Sequence, residues 1–269
     1  MMARARFWVA VGLAIAFALG PFAWQVVTSL RPESELLQLG MPSSLSLASY
    51  RGAFEGRPFE RVLLNSFLVA GATTLLCLAI GALAAFALAK LDFRGKKALL
   101  MIALAISMFP PIATVSPLYL LVRALGLRDQ LAGLILTYTT FALPLTLWVL
   151  TGVFRDIPHQ LYEAARIDGC TPFQTFRRVL LPLSAPGLVT TGILVFIFAY
   201  NEFLYALTFT SSPEKRTIPV AISLFASEHK EPWGEMAAAS VMAVAPLVLL
   251  AVVFQRRIVA GLTAGAVKD

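Results

Sequence analysis

The sequence predicts an all-α membrane protein that crosses the bilayer six times. Of its 269 residues, 58% are hydrophobic and only 14% are charged, whereas about a quarter of the residues of an average soluble domain are charged. Apolar runs close to the roughly 20 residues that a transmembrane helix needs recur along the whole chain. These two observations exclude an ordinary soluble domain and predict a single transmembrane domain over residues 1–269.

Charged or helix-breaking residues limit each predicted span. The second span is rich in glycine and alanine, as helix–helix interfaces in lipid are. The third contains Pro110, Pro111 and Pro117, which free backbone carbonyls that neighbours or cavity water must satisfy. Either a kinked helix that lines a pathway or a bent packing helix fits that pattern. The spans are expected at about residues 7–30, 62–89, 98–122, 129–154, 183–208 and 236–254.

A polar segment at about residues 155–182 separates the fourth and fifth spans. It carries seven formal charges, and each would cost roughly 2.5 to 3.5 kcal/mol at the centre of a bilayer, so the segment must lie in water. Its pattern predicts two short helices with a corner between them. Pro158 suits the first position of the first helix, and Gly169 can adopt the left-handed conformation that ends it. Thr171 and Gln174 have the spacing of a capping box for the second helix.

Two interpretations of this segment fit its residues equally well. Small side chains at Ala164 and Ala165 would let another protein approach the first helix closely, and Phe173, Phe176 and Leu180 would form an apolar stripe on the second. A solvated loop that merely connects two spans accounts for the same pattern.

The order of residue types in the segment resembles a known motif. Glu163-Ala164-Ala165, Asp168-Gly169, Phe176 and Leu181-Pro182 are similar to the EAA loop in the permease subunits of bacterial ABC importers. The resemblance implies the type I ABC importer permease fold, with a coupling helix that docks into a cleft of an ATP-binding subunit. The residues expected to contact that subunit are Glu163, Ala164, Ala165, Asp168, Gly169, Phe173 and Phe176.

The distribution of charge predicts the orientation in the membrane. Six spans place both termini and the polar segment on one side, and 13 of the 22 Lys and Arg residues fall there. Because cytoplasmic loops carry an excess of Lys and Arg, both termini are expected in the cytoplasm of a bacterial cell, with the protein in its inner membrane. Loops that face anionic lipid then explain the net charge of +7 better than a nucleic-acid partner does.

Residues that could perform chemistry are scarce. The only Gly-Lys pair, Gly95-Lys96, lacks the upstream glycine and the hydroxyl residue of a phosphate-binding loop. We therefore expect no cofactor in this chain, with ATP and Mg bound by a partner ATPase subunit. His159 and His229 are predicted on opposite faces of the membrane, so they cannot form a joint metal site or a hydrolase triad. No catalytic residue and no metal site are expected.

One acidic residue lies within a predicted span. Glu202 falls in the fifth span, where an ionisable residue is a functional candidate by default. Asn201 precedes it, and Tyr200 and Tyr205 flank the pair with aromatic faces and hydroxyl groups that suit a sugar. These four residues are expected to line a substrate pathway or gate. An interhelical hydrogen bond made by Glu202 is the alternative.

Two further stretches resemble carbohydrate-importer permeases of the maltose and trehalose type, namely the run from Asn201 to Leu207 and the tail from Gly261 to Lys268. The resemblance implies a subunit of an ATP-driven importer that moves a sugar, such as the disaccharides trehalose or maltose, by alternating access. The implied partners are a sister permease, a dimer of ATP-binding subunits and an extracytoplasmic sugar-binding protein. The alternatives are a permease for another solute such as a polyol or glycerol phosphate, a membrane-embedded enzyme, and a structural or receptor-like membrane subunit.

Overall fold

The protein is described from a computed structural model at residues 2–36, 38, 40–225 and 232–263, and at the backbone alone for residues 2, 3, 5 and 256–263. His229 and the tail residues 264–269 lie outside the described residues. In chain order the helices are α1 (Met2–Ser29), α2 (Ala48–Gly52), α3 (Phe59–Lys90), α4 (Lys96–Ser107), α5 (Pro111–Ala124), α6 (Leu131–Asp156), α7 (His159–Ile167), α8 (Pro172–Thr175), α9 (Leu181–Leu183), α10 (Ala185–Tyr200), α11 (Leu204–Phe209), α12 (Ile218–Ser223) and α13 (Trp233–Thr263). Within these ranges the chain forms no β-strand, so the all-α prediction is confirmed.

Among the residues that the structure describes, four helices are long and apolar enough to cross a membrane alone: α1, α3, α6 and α13. Two bent pairs raise the number of candidate spans to as many as six. In one pair α4 and α5 meet at 94°, and in the other the segment Pro172–Leu183 meets α10 at 79°. The limits of the six membrane spans remain predictions, because these helices are identified as candidate spans by their length and composition alone.

The predicted third span is broken where two prolines follow each other. Pro110 has an extended backbone, with φ −59° and ψ 123°, and Pro111 starts α5. A residue that precedes proline is pushed out of the helical region, so Pro111 forces Pro110 to leave the helix. The helix therefore stops at Ser107 and restarts in a new direction.

The predicted fifth span is also interrupted, between Tyr200 and Leu204. The side chain of Glu202 caps the helix that follows this break, because its two carboxylate oxygens accept the N–H groups of Tyr205 (2.9 Å) and Ala206 (3.2 Å). Such N–H groups at the start of a helix have no partner within the helix. The acid thus satisfies backbone groups that would otherwise be orphaned in an apolar setting.

The contacts within the chain divide it into two compact units, residues 1–60 with 220–249 and residues 61–219 with 250–269. The single transmembrane domain over residues 1–269 stays a prediction. The first unit has a small core of Ala53, Phe59, Phe225 and Ala239. The Arg57 guanidinium lies over the Phe225 ring at 4.3 Å and forms an ion pair with Glu235. The apolar side chains of α1 are exposed, and Phe17 is 87% exposed.

The second unit is organised around α6, which packs against α4 and α10, while α11 packs against both α5 and α6. Glycines permit close packing with α6: a Cβ atom added to Gly81 would lie 2.5 Å from the Cγ2 atom of Thr146. Small residues of this kind let membrane helices approach each other closely, as the composition of the second span predicts.

The connection between α11 and α12 is fixed at both ends by polar side chains of the second unit. At its start, the carboxylate of Asp129 accepts the N–H groups of Ser211 (2.8 Å) and Ser212 (3.0 Å) and the hydroxyl of Ser212. At its end, the amide of Asn65 donates to the carbonyls of Glu214 (2.8 Å) and Arg216 (3.0 Å). The connection is therefore an ordered element rather than a loose loop.

Asp129 itself has a left-handed backbone, with φ 59°, and its N–H donates to the carbonyl of Phe209 (2.9 Å). Partial burial alone would raise the pKa of the Asp129 carboxyl. The hydrogen bonds from Ser211 and Ser212 outweigh that effect, and the pKa lies below its ordinary value. The charged form is therefore the form that the folded state prefers.

We predict that Asp129→Ala destabilises the protein more than Asp129→Asn, because asparagine tolerates the left-handed backbone and keeps one acceptor oxygen. Since the folded-state pKa is lowered, the stabilisation by Asp129 is fully present above the unfolded-state value of about 3.9 and is lost as pH falls through the folded value. Thermal unfolding in detergent should show a gap between wild type and Asp129→Asn at pH 7 that shrinks below about pH 4. A gap of the same size at every pH would contradict the role of the charge.

Candidate functional site

The polar segment of residues 155–182, called the coupling segment below, contains the two short helices that the sequence predicts. Pro158 was expected at the first position of α7, but it is the N-cap residue, and the helix begins at His159. Gly169 has φ +83°, its N–H donates to the Arg166 carbonyl (3.2 Å), and the N–H of Cys170 donates to the Ala165 carbonyl (3.0 Å). These two bonds form a Schellman motif, so the prediction that Gly169 ends the helix is confirmed.

The second helix of the coupling segment begins with the predicted capping box. The N–H of Gln174 donates to the Thr171 hydroxyl (3.2 Å), and the N–H of Thr171 donates to the Gln174 side chain (2.8 Å). After α8 the backbone continues as a π-helical turn, Phe176–Leu180, before α9. Turns of this type are rare and are found at functional sites more often than chance predicts.

The structure separates the residues predicted to contact the ATP-binding subunit into two groups. The exposed group consists of Glu163, Ala164, Asp168, Gly169 and Phe173. The buried group consists of Ala165 and Phe176, each only 6% exposed. A partner protein can reach the first group directly, whereas the second group packs within the second unit.

Phe176 anchors the coupling segment to the spans. Its ring lies 5.2 Å from that of Phe86 in α3 and 6.1 Å from that of Phe154 in α6. Leu180, from the same π-helical turn, is fully buried in the same core cluster. A second link comes from Lys90, which is 5% exposed and whose ammonium group donates to the carbonyl of Ile157 at the end of α6.

The exposed surface of α7 includes apolar side chains that the sequence analysis did not single out for docking. Ile167 is 86% exposed, and Leu161 is 42% exposed. Phe173, which belongs to α8, is 59% exposed, and the charged Glu163 is exposed on α7. Exposed apolar groups with polar neighbours are typical of protein interaction sites. The signal for Ile167 was its position directly before the Asp168-Gly169 helix end.

The four residues predicted to line a pathway or gate have different environments. Tyr200 is 3% exposed, stacks on Phe196 at 5.8 Å and lies 5.5 Å from the ring of Phe67. Tyr205 is 2% exposed, and its hydroxyl lies 2.6 Å from that of Thr114. These placements favour a structural role for both tyrosines.

Asn201 and Glu202 lie at the break itself. Asn201 is exposed, and its amide donates to the carbonyl of Ile197 (2.8 Å). Glu202 is partly exposed, caps α11, and lies close to the buried hydroxyl of Tyr138 in α6. Of the four candidates, these two present polar groups at the surface of the unit.

Metal-binding chemistry has no support in the described part of the chain. There, no three His, Cys, Asp or Glu side chains lie close enough together to hold a metal ion. His159 instead lies 3.7 Å from Glu163, one helical turn away on α7.

The apolar helices, the coupling segment and its anchor define the membrane-spanning permease subunit of an ABC importer. Residues 77–263 match the family described as "binding-protein-dependent transport system inner membrane component". The chain belongs to that family, so it is a multi-pass, non-catalytic permease component.

Named relatives match this chain over nearly its whole length. It is 46% identical to the trehalose transport system permease protein SugB of Mycobacterium tuberculosis, with 98% of both chains covered. It is 41% identical to the sulfoquinovosyl glycerol transport system permease protein SmoH of Agrobacterium fabrum, with 97% and 92% covered. It is 40% identical to the trehalose/maltose transport system permease protein MalG of Thermococcus litoralis, with 92% and 91% covered.

The fold has a counterpart among solved structures. One chain of a bacterial ABC transporter involved in the import of the acidic polysaccharide alginate matches with a TM-score of 0.82 and 22% identity, covering 95% of this chain and 96% of that one. The type I ABC importer permease fold expected from the sequence is therefore confirmed.

We predict that alanine substitutions at two phenylalanines of the coupling segment affect two different properties. Phe176→Ala should destabilise the protein by about 3–5 kcal/mol, because it leaves a cavity in a packed core. Phe173→Ala should leave stability unchanged and weaken retention of the ATPase subunit, because its ring is exposed. Thermal unfolding and co-purification in detergent measure the two properties. Equal loss of stability in both variants would contradict the assignment of anchor and docking surface.

Proposed function

We propose that this chain carries a di- or oligosaccharide, such as trehalose or maltose, into the cytoplasm as one half of a two-permease pore. The observation that carries the proposal is the 46% identity over 98% of both chains with a relative named for trehalose transport. A second relative is named for trehalose and maltose.

The exposed group of the coupling segment is proposed to dock into a dimer of ATP-binding subunits. Glu163 supplies charge, Ala164 and Gly169 allow close approach, and Phe173 supplies apolar contact area. Ala165 and Phe176 support this surface from beneath and are not proposed as contacts. The ATPase dimer would bind ATP and Mg, because the sequence of this chain has no phosphate-binding loop.

The remaining partners follow from the same family. We propose a sister permease as the second half of the pore and an extracytoplasmic sugar-binding protein as the donor of substrate. The six spans would run at about the predicted limits, with the coupling segment and both termini in the cytoplasm of the bacterial cell. The excess of Lys and Arg on that side of the chain supports this orientation.

We propose that Asn201 and Glu202 form the part of the pathway or gate contributed by this chain. Both lie at a break between helices, where backbone and side-chain polar groups can face a cavity within the membrane. Tyr200 and Tyr205 hold the two sides of the break in place through ring stacking and hydrogen bonds. They are proposed to position the pathway residues without lining the pathway themselves.

A different solute class is the second candidate for the substrate. One relative at 41% identity is named for sulfoquinovosyl glycerol, which joins a sugar-like unit to glycerol. A polyol or glycerol-containing solute is therefore the alternative that a specific observation favours. An enzymatic function is not proposed, because the family is one of transport components.

The decisive experiment purifies the complex that this chain forms in its own cells. The complex is then reconstituted into vesicles loaded with ATP and Mg. We expect uptake of radiolabelled trehalose or maltose that depends on ATP and on the sugar-binding protein. Uptake of a glycerol-containing solute in place of both disaccharides would establish the second candidate. Absence of ATP-dependent uptake of every solute offered, with the complete complex present, would refute both proposed substrate classes.

We predict that Glu202→Gln lowers sugar uptake about tenfold or more while the complex remains assembled with its basal ATPase activity. Glutamine keeps one acceptor for the cap of α11 but removes the charge, and a hydrogen bond to a charged group contributes about 1.5–3 kcal/mol. Glu214→Gln is the matched control, because this exposed acid belongs to the same unit and its side chain is not part of the break. If Glu202→Gln transports normally and Glu202→Ala no longer assembles, the acid serves only as a cap.

A further inference from the structure

Two broken spans of the second unit meet at a single side chain. Tyr205 belongs to α11, directly after the break that follows α10. Its hydroxyl reaches the first turn of α5, directly after the 94° corner between α4 and α5. No contact of this kind is evident from the sequence, since 94 residues separate Tyr205 from Pro111.

The contact is a compact cluster of hydrogen bonds. The Tyr205 hydroxyl lies 2.6 Å from the Thr114 hydroxyl and 3.3 Å from the Pro111 carbonyl. The Thr114 hydroxyl donates to the Pro111 carbonyl at 2.7 Å, so the Tyr205 hydroxyl is the donor to the Thr114 hydroxyl. A chain of two hydrogen bonds therefore leads from α11 to the start of α5.

The ring of Tyr205 fixes the same residue from its other side. It stacks on Phe141 of α6, with ring centroids 5.1 Å apart and planes inclined by 20°, and contacts Phe209 at 5.7 Å. Phe209 in turn contacts Tyr119 of α5 at 6.4 Å. The short helix α11 is therefore held against both α5 and α6 along its length.

The backbone of Tyr205 is tied to the break before α11. Its N–H donates to the carboxylate of Glu202, which caps α11. Tyr205 is therefore bonded through its backbone to the break before α11 and through its side chain to the start of α5. Any shift of the Asn201–Phe203 break must move Tyr205, and Tyr205 must then drag or release Pro111 and Thr114.

We propose that Tyr205 is a positioning residue for transport, which joins α11 to the start of α5 so that the two breaks move as one body. The proposal rests on the proposed transport function. It assigns to Tyr205 a role distinct from sugar contact, because the side chain is 2% exposed and its hydroxyl is already engaged.

A double-mutant cycle measures this connection. Tyr205→Phe removes only the hydroxyl, Thr114→Val removes its partner, and the number of sugar molecules moved per ATP hydrolysed is measured in the reconstituted complex. We expect each single variant to lower this ratio by about threefold to tenfold, because each removes the hydrogen bond between the two hydroxyl groups that joins α11 to α5. The double variant should be no worse than either single one, because interacting residues are not additive.

The matched control is Thr208→Val. The Thr208 hydroxyl also belongs to α11, but it donates to the Leu204 carbonyl of the same helix (2.8 Å). We expect this variant to keep the wild-type ratio of sugar to ATP. If Tyr205→Phe lowers only the melting temperature and leaves the ratio unchanged, Tyr205 is merely structural and the proposal is overturned.

A covalent tether tests whether the two helices stay together during transport. Thr114→Cys with Tyr205→Cys, in a Cys170→Ser background, should transport more slowly than wild type but measurably, and a short bifunctional thiol reagent that joins the two positions should raise its uptake. Restored uptake would support movement as one body, whereas arrest by the tether would show that α5 and α11 must separate. Wild-type complex assayed in parallel keeps this test independent of the transport function: absence of uptake there would refute that function instead.

Discussion

The structure depends on a constraint that hydrocarbon imposes: every backbone N–H and C=O group within a span must find a partner in the protein. A continuous helix without proline meets this condition by itself between its ends, as α3 does over 32 residues. A broken span cannot meet it alone. At the break before α11, the Glu202 carboxylate supplies the missing partner by accepting the N–H groups of Tyr205 and Ala206.

Burial separates neighbouring residues of the coupling segment into two tasks. Phe173 and Phe176 are three positions apart, yet one is 59% exposed and the other 6%. Ala164 and Ala165 differ in the same way. The rings of Phe173 and Phe176 contact each other at 6.2 Å, so the exposed ring lies directly on the ring that is anchored in the core. The proposed docking surface is thereby fixed to the spans beneath it.

The sequence predicted those features that depend on local chemistry. The end of α7 at Gly169 and the capping box of Thr171 and Gln174 follow from one or two residues and their neighbours. The all-α membrane fold follows from composition. The motif around Glu163 led to the correct family because a docking surface requires particular residue types at fixed spacing.

The features that the sequence could not predict depend on which face of a helix meets another helix. The apolar run from Leu183 to Thr208 has no charge before Glu202, so nothing in it announces a helix end at Tyr200. The sequence alone does not distinguish a buried tyrosine from an exposed one at position 205. In the structure, the Tyr205 ring is stacked on Phe141. Periodicity identifies an apolar face, but it does not say whether lipid, a partner subunit or the same chain covers that face.

The continuous helix α6 contacts both regions that we assign to transport. Near its middle, Phe141 stacks on Tyr205, and near its end Phe154 packs against Phe176 of the coupling segment. These two residues are 13 positions apart, which corresponds to about 20 Å along a helix. The buried Pro144 lies between them and removes one backbone hydrogen bond from the helix. The coupling segment and Tyr205 therefore contact the same helix, on either side of the one position at which its backbone lacks a hydrogen bond.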